Sequence, residues 1–316
     1  MSIKEVISVD VDVPVSMIDS ALLHARQQVK KFAIPKRNGG HRIVVQPSKK
    51  LKTIQYWLII NIFEKMVVHD AAIAYKDGKS ILDNAKLHRE NRFFLKLDFK
   101  DFFPSIKFSD LLPRIINWHN DQNLDWDLDT DAQELIRLAC FYHGDALAVG
   151  YPSSPVISNL VMFDFDTSVM ALVSDKEKYG DMVYTRYADD LVFSTNKKGV
   201  SQILIKAITI LISIFESPKI ALNTTKTKIG SSSGGTASVT GLKICNDGRI
   251  TIHRNQKDHI RLLLSLYKKG VLSTEDHNSL LGHLAYVFHV DSAFYTKLQG
   301  KYFKEITELR AKSTLN

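Results

Sequence analysis

The chain has 316 residues, and its 42 lysines and arginines exceed its 34 aspartates and glutamates, giving a formal net charge of +8. This balance favours a polyanionic partner, above all nucleic acid. Two cysteines without a CxxC pair argue against a disulfide scaffold and a zinc knuckle. The start lacks the basic end and apolar run of a signal peptide, and the most apolar segment, residues 208–215, is too short to cross a bilayer. The composition therefore predicts a cytoplasmic protein with no membrane role.

The first third of the chain predicts a basic hairpin, a helix and a strand. FAIPKRNGGHRIVVQP, residues 32–47, contains Asn38-Gly39, a strong hairpin signal. LKTIQYWLIINIFEKM, residues 51–66, has the length and spacing of a buried amphipathic helix. FFLKLDFKDFFPSI, residues 93–106, predicts a strand that runs into Asp98 and breaks at Pro104.

The stretch YTRYADDLVFS, residues 184–194, predicts a second hairpin with Asp189 and Asp190 at its tip. If Asp98 meets this tip on one sheet, three carboxylates repel one another and raise each other's pKa. Two divalent cations remove that cost, and paired Mg²⁺ ions suit in-line phosphoryl displacement. The cluster predicts a nucleotidyl-transfer site. The alternative is that the Asp-Asp pair lies in an ordinary solvated turn.

The last third begins with GSSSGGTAS, residues 230–238, which has the composition of a flexible connector. VTGLKICNDGRITIH, residues 239–253, predicts a hairpin that turns through Asn246-Asp247-Gly248. From Asn255 onward the apolar spacing and the lysines and arginines predict a small basic helical lobe. Together with the preceding segments, this predicts an α+β chain.

Three motifs occur in the order found in reverse transcriptases, and the chain resembles that family. LDFKDFFPSI, residues 97–106, is similar to the first palm motif and YADD, residues 187–190, to the third. GYPSSPVISNLV, residues 150–161, resembles the second, a turn that opens a helix. There Ser153 or Ser154 is expected to cap the helix and Pro155 to suit its first turn. The apolar residues expected on one face of that helix are Val156, Leu160 and Phe163.

Further elements resemble the bacterial retron reverse transcriptases. The family's NAxxH and VTG elements are matched by Asn84, Ala85 and His88 and by Val239, Thr240 and Gly241. The likeness runs from about residue 32 to the end of the chain. One departure is LAVG at residues 147–150, where the family usually has LPQG, so Val149 replaces a glutamine.

The resemblance implies a right-hand polymerase of the α+β class. Residues 1–95 would mainly form the fingers, residues 96–253 the palm with an interleaved fingers segment and a primer-grip hairpin, and residues 254–316 a helical thumb. The implied catalytic residues, which would also hold two Mg²⁺ ions with Mn²⁺ as a possible substitute, are Asp98, Asp189 and Asp190.

The nucleotide-binding residues implied by the same resemblance are Arg42, Asp101, Phe103, Gly150 and Lys226. Phe103 would be an aromatic gate beneath the sugar, and the alternative is a core residue. Arg42 would hold the triphosphate, or it is a solvated hairpin arginine. Lys226 would protonate the leaving pyrophosphate, with Lys228 as a rival and a surface lysine as the alternative. Asn84 and His88, four apart, are alternatively a structural pair on a helix.

The implied function is RNA-templated DNA synthesis from dNTPs, primed by a guanosine 2′-hydroxyl in a structured noncoding RNA. The product would be a branched multicopy single-stranded DNA (msDNA), with an effector protein as partner in anti-phage defence and a host RNase H to remove the template. Two alternatives remain open: another lineage of bacterial reverse transcriptases, and a non-catalytic RNA-binding protein with a polymerase-like palm.

Overall fold

A computed structural model describes residues 1–35 and 39–313. The helices are α1 Ile3–Asp10, α2 Val15–Leu23, α3 Lys49–Asn61, α4 Ile81–His88, α5 Phe102–Ser105, α6 Phe108–Asn120, α7 Thr130–Cys140, α8 Ser154–Val161, α9 Phe163–Val173, α10 Lys176–Tyr179, α11 Ser201–Ile214, α12 Arg254–Lys268, α13 Thr274–Val290 and α14 Ser292–Ser313. The strands are β1 Val29–Pro35, β2 His41–Pro47, β3 Phe93–Asp98, β4 Val183–Tyr187, β5 Asp190–Thr195, β6 Lys228–Ser231, β7 Ser238–Val239, β8 Leu242–Ile244 and β9 Ile250–Thr251.

A four-stranded antiparallel sheet, in the order β4-β5-β3-β6, lies at the centre of the chain. Because side chains alternate across a strand, each face of this sheet is buried in a different core. Leu95, Leu97 and Phe193 belong to the first core. Phe94 and Val192 point the other way, into the second. Two buried faces explain why β3 and β5 carry consecutive apolar residues, at 93–95 and 191–193, instead of a strict alternation.

The first core includes the N-terminal helices, for which the sequence suggested no role. Ile3 and Ile7 of α1 and Ile18 of α2 are almost completely buried there. The indole nitrogen of Trp57 on α3 donates to Asp10 at 2.7 Å, which fixes the end of α1. The first 23 residues are therefore part of the main folding unit.

The second core joins α12–α14 to the three-stranded sheet β7-β8-β9 and to α4. The predicted apolar face of α12 is confirmed, since Ile260, Leu263 and Leu264 are buried. Between β7 and β8 the chain turns at Thr240-Gly241, whose φ angles of 45° and 82° are those of a type I′ turn. The sequence prediction of a hairpin is correct for β8 and β9 and missed this tighter turn.

Three local predictions were wrong. The helix predicted at 51–66 ends at Asn61, followed by a short 3₁₀ turn. The segment 230–238 is an ordered turn rather than a flexible connector, because its hydroxyls satisfy the backbone: Ser231 Oγ accepts from the Gly234 N–H, and Thr236 Oγ1 accepts from that of Ser231. The helical turn α5 runs through Pro104, where a break was expected.

The basic hairpin is present as the antiparallel strands β1 and β2. Val29 pairs with Pro47 at one end, and Pro35 pairs with His41 at the other. Asn38, on which its turn was predicted, lies outside the described residues. In the described part of the chain no single helix is long and apolar enough to cross a membrane. The bent pair α8–α9 passes the length and composition test only as a pair, and its apolar residues Ile157, Leu160 and Phe165 are buried in the first core.

Candidate active site

Asp98 and Asp190 are direct neighbours across two antiparallel strands. They end the pairing of β3 with β5, where their Cα atoms are register partners. Just beyond them, the N–H of Phe99 donates to the carbonyl of Asp189 at 3.0 Å. The sheet thus brings the first and third motifs together, as the sequence predicted. Asp98 is 7% exposed, so its carboxylate is largely removed from water.

The tip of the β4–β5 hairpin is a strained two-residue turn, Ala188-Asp189, between the paired residues Tyr187 and Asp190. Ala188 has a φ of 57°, in the left-handed region that residues with a Cβ seldom adopt. Such a conformation persists only where surrounding contacts hold it, and it is concentrated at functional sites. The turn places Asp189 at the end of the sheet, next to Asp98.

The carboxylates of this site repel one another. The pKa of Asp189 is raised, first by burial and then by the charges of Asp98 and Asp190. Two lysines offset part of the repulsion: Lys226 Nζ lies 2.9 Å from both carboxylate oxygens of Asp98, and Lys96 Nζ lies 3.4 Å from Asp190. The hydrogen bond to Asp98 is the main cause of the raised pKa of Lys226. Lys96 was not predicted from the sequence.

The donor set fits a hard divalent cation. Within residues 1–35 and 39–313, no three His, Cys, Asp or Glu side chains form a complete metal-binding cluster by themselves. Mg²⁺, however, usually takes one or two protein carboxylates and completes its shell with water and substrate phosphates. The raised pKa of Asp189 means that a bound cation would relieve unfavourable charge. Asp98, Asp189 and Asp190 therefore remain the predicted ligands.

Phe103 and Asp101 follow β3 at the turn into α5. Asp101 is exposed and adopts a φ of 46°, and its carbonyl accepts from the Ser105 hydroxyl at 2.9 Å. Phe102 is 6% exposed in the core. Phe103 is only partly buried, and its ring centroid lies 5.8 Å from that of Phe102. Phe103 also packs against the first core, so its role as a gate stays a prediction.

Gly150 lies against β2, where only glycine fits. A Cβ at this position would lie 2.6 Å from the Val45 carbonyl oxygen, and its φ is 107°. The preceding Val149 carbonyl accepts from the Val45 N–H at 2.8 Å. Val149 therefore contributes its backbone to β2, a contact that does not depend on whether its side chain is valine or glutamine. The second motif is in this way tied to the strand that carries Arg42.

The helix that follows Gly150 differs from the prediction in its cap. Neither predicted serine caps α8 through its side chain: Ser153 occupies the cap position without such a bond, and the Ser154 hydroxyl donates to the Ala148 carbonyl at 2.8 Å. Pro155 does lie in the first turn. Phe163 begins a new helix, because the chain bends by 46° between α8 and α9.

Arg42 is exposed on β2, and its charge acts on the same phenol, that of Tyr75, as the charge of Asp189 does. Burial of the Tyr75 phenol, followed by the charge of Asp189, raises its pKa, while Arg42 acts in the opposite direction. Tyr75 has a φ of 60° and a half-exposed side chain. Sequence reasoning missed Tyr75, whose only local signal is an aromatic residue directly before the turn-forming Lys76-Asp77-Gly78.

The helix that carries the NAxxH residues packs against the VTG turn. Asn84, Ala85 and His88 on α4 are completely buried. The Thr240 hydroxyl donates to the Ile81 carbonyl of α4 at 3.0 Å, which joins the two elements. Val239 is buried beside Ala85 in the second core, whereas Gly241 is exposed.

Asn84 and His88 do not pair with each other. The His88 ring bonds the Ser194 hydroxyl at 2.7 Å and the Thr185 hydroxyl at 2.8 Å, so α4 is anchored to the central sheet. Asn84 has no hydrogen-bond partner for its amide among the described residues. Any effect of these side chains on RNA would be transmitted through packing.

The comparisons with known proteins agree with this geometry. The family described as reverse transcriptase (RNA-dependent DNA polymerase) matches residues 34–265. Among solved structures, apo telomerase from Candida tropicalis aligns with a TM-score of 0.53 at 12% identity, and telomerase from Candida albicans with a fragment of telomeric RNA aligns with a TM-score of 0.51 at 12% identity. The alignments cover 88% and 89% of this chain but 58% and 59% of the telomerase chains. Fold and site thus define a reverse transcriptase, an RNA-directed DNA polymerase of the α+β class.

The similar curated proteins are more specific. Retron Ec73 reverse transcriptase of Escherichia coli is 42% identical over 91% of both chains. Retron Ec83 reverse transcriptase of Escherichia coli is 34% identical over 86% of both. The chain belongs to the retron reverse transcriptases, which confirms the resemblance seen in the sequence. Reverse transcriptases generally use divalent metal ions.

Proposed function

We propose that this enzyme copies a structured noncoding RNA into DNA at the site formed by Asp98, Asp189 and Asp190. The observation that carries the proposal is the pairing of Asp98 with Asp190 at the end of the sheet, beside a strained turn that presents Asp189. These carboxylates would hold two Mg²⁺ ions, or Mn²⁺ in their place. When bound, the ions would stabilise the attacking and leaving oxygens of in-line nucleotidyl transfer.

The other predicted residues surround this centre. Arg42 would bind the triphosphate of the incoming dNTP through its guanidinium fork. Phe103 would exclude a 2′-hydroxyl. Lys226 carries a proton next to Asp98 and would deliver it to the pyrophosphate oxygen as the bond breaks. Asp101 and the Gly150 turn would complete the nucleotide site.

The lobes divide the handling of RNA and DNA. In this proposal residues 1–95 mainly form the fingers, 96–253 the palm and 254–316 the thumb. Three exposed basic residues, Arg254, Arg261 and Lys268, recur every seven positions on one face of α12. A stripe of this kind follows a phosphate backbone without reading its sequence. The Thr240-Gly241 turn would contact the primer end.

The wider role is inferred from the retron family. Synthesis would start from a guanosine 2′-hydroxyl of the noncoding RNA and yield branched msDNA. An effector protein would complete the system in anti-phage defence, and a host RNase H would remove the copied template. The RNA itself and its msDNA product are then the tightest partners of the chain.

The experiment is purification of the protein with its co-expressed noncoding RNA. A DNA strand joined covalently to RNA, which stays joined on a denaturing gel and is shortened by RNase, is the expected product. The matched control is Asp189→Asn, which keeps the side-chain volume and removes the charge. DNA made without attachment to RNA would overturn the proposed priming from a guanosine 2′-hydroxyl, and an Asp189→Asn protein that retained synthesis would overturn the proposed catalytic role of Asp189.

A further inference from the structure

Arg186, two residues before the catalytic turn, is a fully buried charged residue. Its guanidinium grips Asp166 of α9 through Nε at 2.9 Å and Nη2 at 2.7 Å, and that carboxylate is also fully buried. Tyr184 donates to the same carboxylate at 2.7 Å. Burial opposes the charge of Arg186, but Asp166 outweighs it and raises the arginine pKa. Arg186 therefore stays charged inside the first core.

A buried ion pair is a weak source of stability. Removing two charges from water costs several kcal/mol per ion, and apolar replacements of similar volume are often neutral or stabilising. Such a pair can instead serve to hold neighbouring atoms in one fixed arrangement. Arg186 makes such contacts near the active site in two directions, one to Ala188 and one to Asn159.

The first direction is the catalytic turn. Arg186 Nη1 donates to the carbonyl of Ala188 at 3.4 Å. Ala188 is the residue with the left-handed backbone, directly before Asp189. The side chain of Arg186 therefore supports the strained residue that determines where the Asp189 carboxylate lies.

The second direction runs through Asn159 to Tyr75. Arg186 Nη1 donates to Asn159 Oδ1 at 3.1 Å, and Asn159 Nδ2 donates to the Ala74 carbonyl at 2.8 Å. The backbone of Arg186 also pairs with Ala71 and Ile73, at 2.7 and 2.9 Å. These bonds fix the segment that ends at Tyr75, whose backbone is in the left-handed region. The charge of Asp189 raises the pKa of the Tyr75 phenol, and that of Arg42 lowers it.

We propose that Arg186, fixed by Asp166, is a positioning residue for polymerisation: it sets the turn that presents Asp189 and, through Asn159, holds the backbone at Ala74, next to Tyr75. This inference rests on the proposed catalytic role of Asp189. It assigns to α8 and α9 the task of holding the third motif in place, through Asn159 and Asp166.

The test separates positioning from stability. In the triple variant Arg186→Met, Asp166→Leu and Tyr184→Phe, apolar groups replace the buried ion pair and the tyrosine that bonds it, and Asn159 keeps its bond to the Ala74 carbonyl. Its thermal midpoint should stay within a few degrees of wild type, or recover most of what Arg186→Met alone loses. Its kcat for single-dNTP addition to an RNA template with a DNA primer should nonetheless fall about tenfold to 100-fold. A kcat that returns together with the thermal midpoint would overturn the proposal.

Arg186→Lys keeps the experiment decisive if the triple variant does not fold. Lysine preserves the charge opposite Asp166 but lacks the fork that reaches Asn159 and Ala188. We expect a folded protein with kcat lowered about tenfold. Unchanged kcat in a folded Arg186→Lys protein would refute the role of the fork.

Asn159→Ala tests the second direction. It should raise the KM for dNTP several-fold with a smaller change in kcat, because it frees Tyr75 and leaves the turn bonded. The matched control is Asn91→Ala, another buried asparagine that bonds the same sheet at the Ser194 carbonyl, away from the turn. It should lower stability without moving KM. Equal KM changes in both variants would overturn this part.

Asp189→Asn distinguishes the two levels of the argument. If it remains active, the proposed function itself fails. If it is inactive while Arg186→Lys and Asn159→Ala behave as wild type, only the positioning inference fails.

Discussion

The ammonium of Lys226 lies 2.9 Å from both carboxylate oxygens of Asp98, although the two residues are 128 positions apart in the sequence. Lys228, its rival from the sequence, is exposed on β6 and is paired in register with Lys96. We expect Lys226→Gln to lower kcat about 100-fold if it supplies the proton to pyrophosphate. Lys228→Gln is the matched control and should leave kcat near wild type. The reverse order in pre-steady-state incorporation would assign the role to Lys228.

Asp189→Asn should abolish DNA synthesis and stabilise the metal-free fold. The pKa of Asp189 is raised, so its ionised form is less favourable in the folded protein than in the unfolded chain. That penalty is absent at low pH and grows as the pH rises through the folded pKa. The thermal midpoint of the variant in EDTA should therefore exceed that of wild type at about pH 7 and converge with it near pH 4. A pH-independent difference would contradict this account.

Phe103→Val should relax sugar selection. Shortening a partly buried ring beside the nucleotide site opens room for a 2′-hydroxyl, so ribonucleotide incorporation should rise about tenfold or more relative to dNTP. Phe102→Leu provides the control because that ring lies in the core. It should lower the thermal midpoint without changing the ratio of ribonucleotide to deoxynucleotide incorporation. A gate at neither position would leave both ratios at the wild-type value.

His88 should make the fold sensitive to mild acid. Burial lowers its pKa from 6.5 to about 3, so the ring is neutral in the folded protein while the unfolded chain binds a proton below about pH 6.5. Between that pH and about pH 5, stability should fall by about 2 kcal/mol. His88→Gln should remove this part of the urea-unfolding profile, and His24→Gln, an exposed histidine, should not. Parallel profiles for wild type and His88→Gln would refute it.

RNA affinity should weaken steeply as the salt concentration rises, and the basic residues of α12 should account for part of this dependence. Neutralising Arg254 and Arg261 with glutamine should reduce the slope of log affinity against log salt by about 1 to 2. Lys206→Gln, an exposed charge on α11, should leave the slope unchanged. The measurement is filter binding of the co-expressed RNA at several salt concentrations. An unchanged slope in the double variant would exclude the α12 stripe from the RNA interface.

Local pattern and motif order were sufficient to predict that Asp98 lies beside Asp190. Short apolar runs define β3 and β5, and the match of two separate motifs predicts that these strands meet. The partners of Arg186 could not be found in the same way. The sequence shows that Arg186 occupies an inward position of β4. Asp166, the aspartate that compensates its buried charge, lies on the separate helix α9. Only long-range packing pairs them.

Composition misled where side chains replace water as hydrogen-bond partners. GSSSGGTAS reads as a linker because glycine and serine have no core-forming groups. In the fold its hydroxyls bond the local backbone and Ala237 is buried, so the segment is held in place. The predicted cap of α8 was wrong for a related reason. The Ser154 hydroxyl donates to the Ala148 carbonyl instead of bonding the backbone of its own helix.

The bond from Thr240 to the Ile81 carbonyl has a practical outcome for engineering. Grafting only the VTG turn, or only the α4 segment, from one retron enzyme into another would leave mismatched surfaces in a shared interior. Chimeras that exchange either element should transplant both segments together, with their partners on the central sheet.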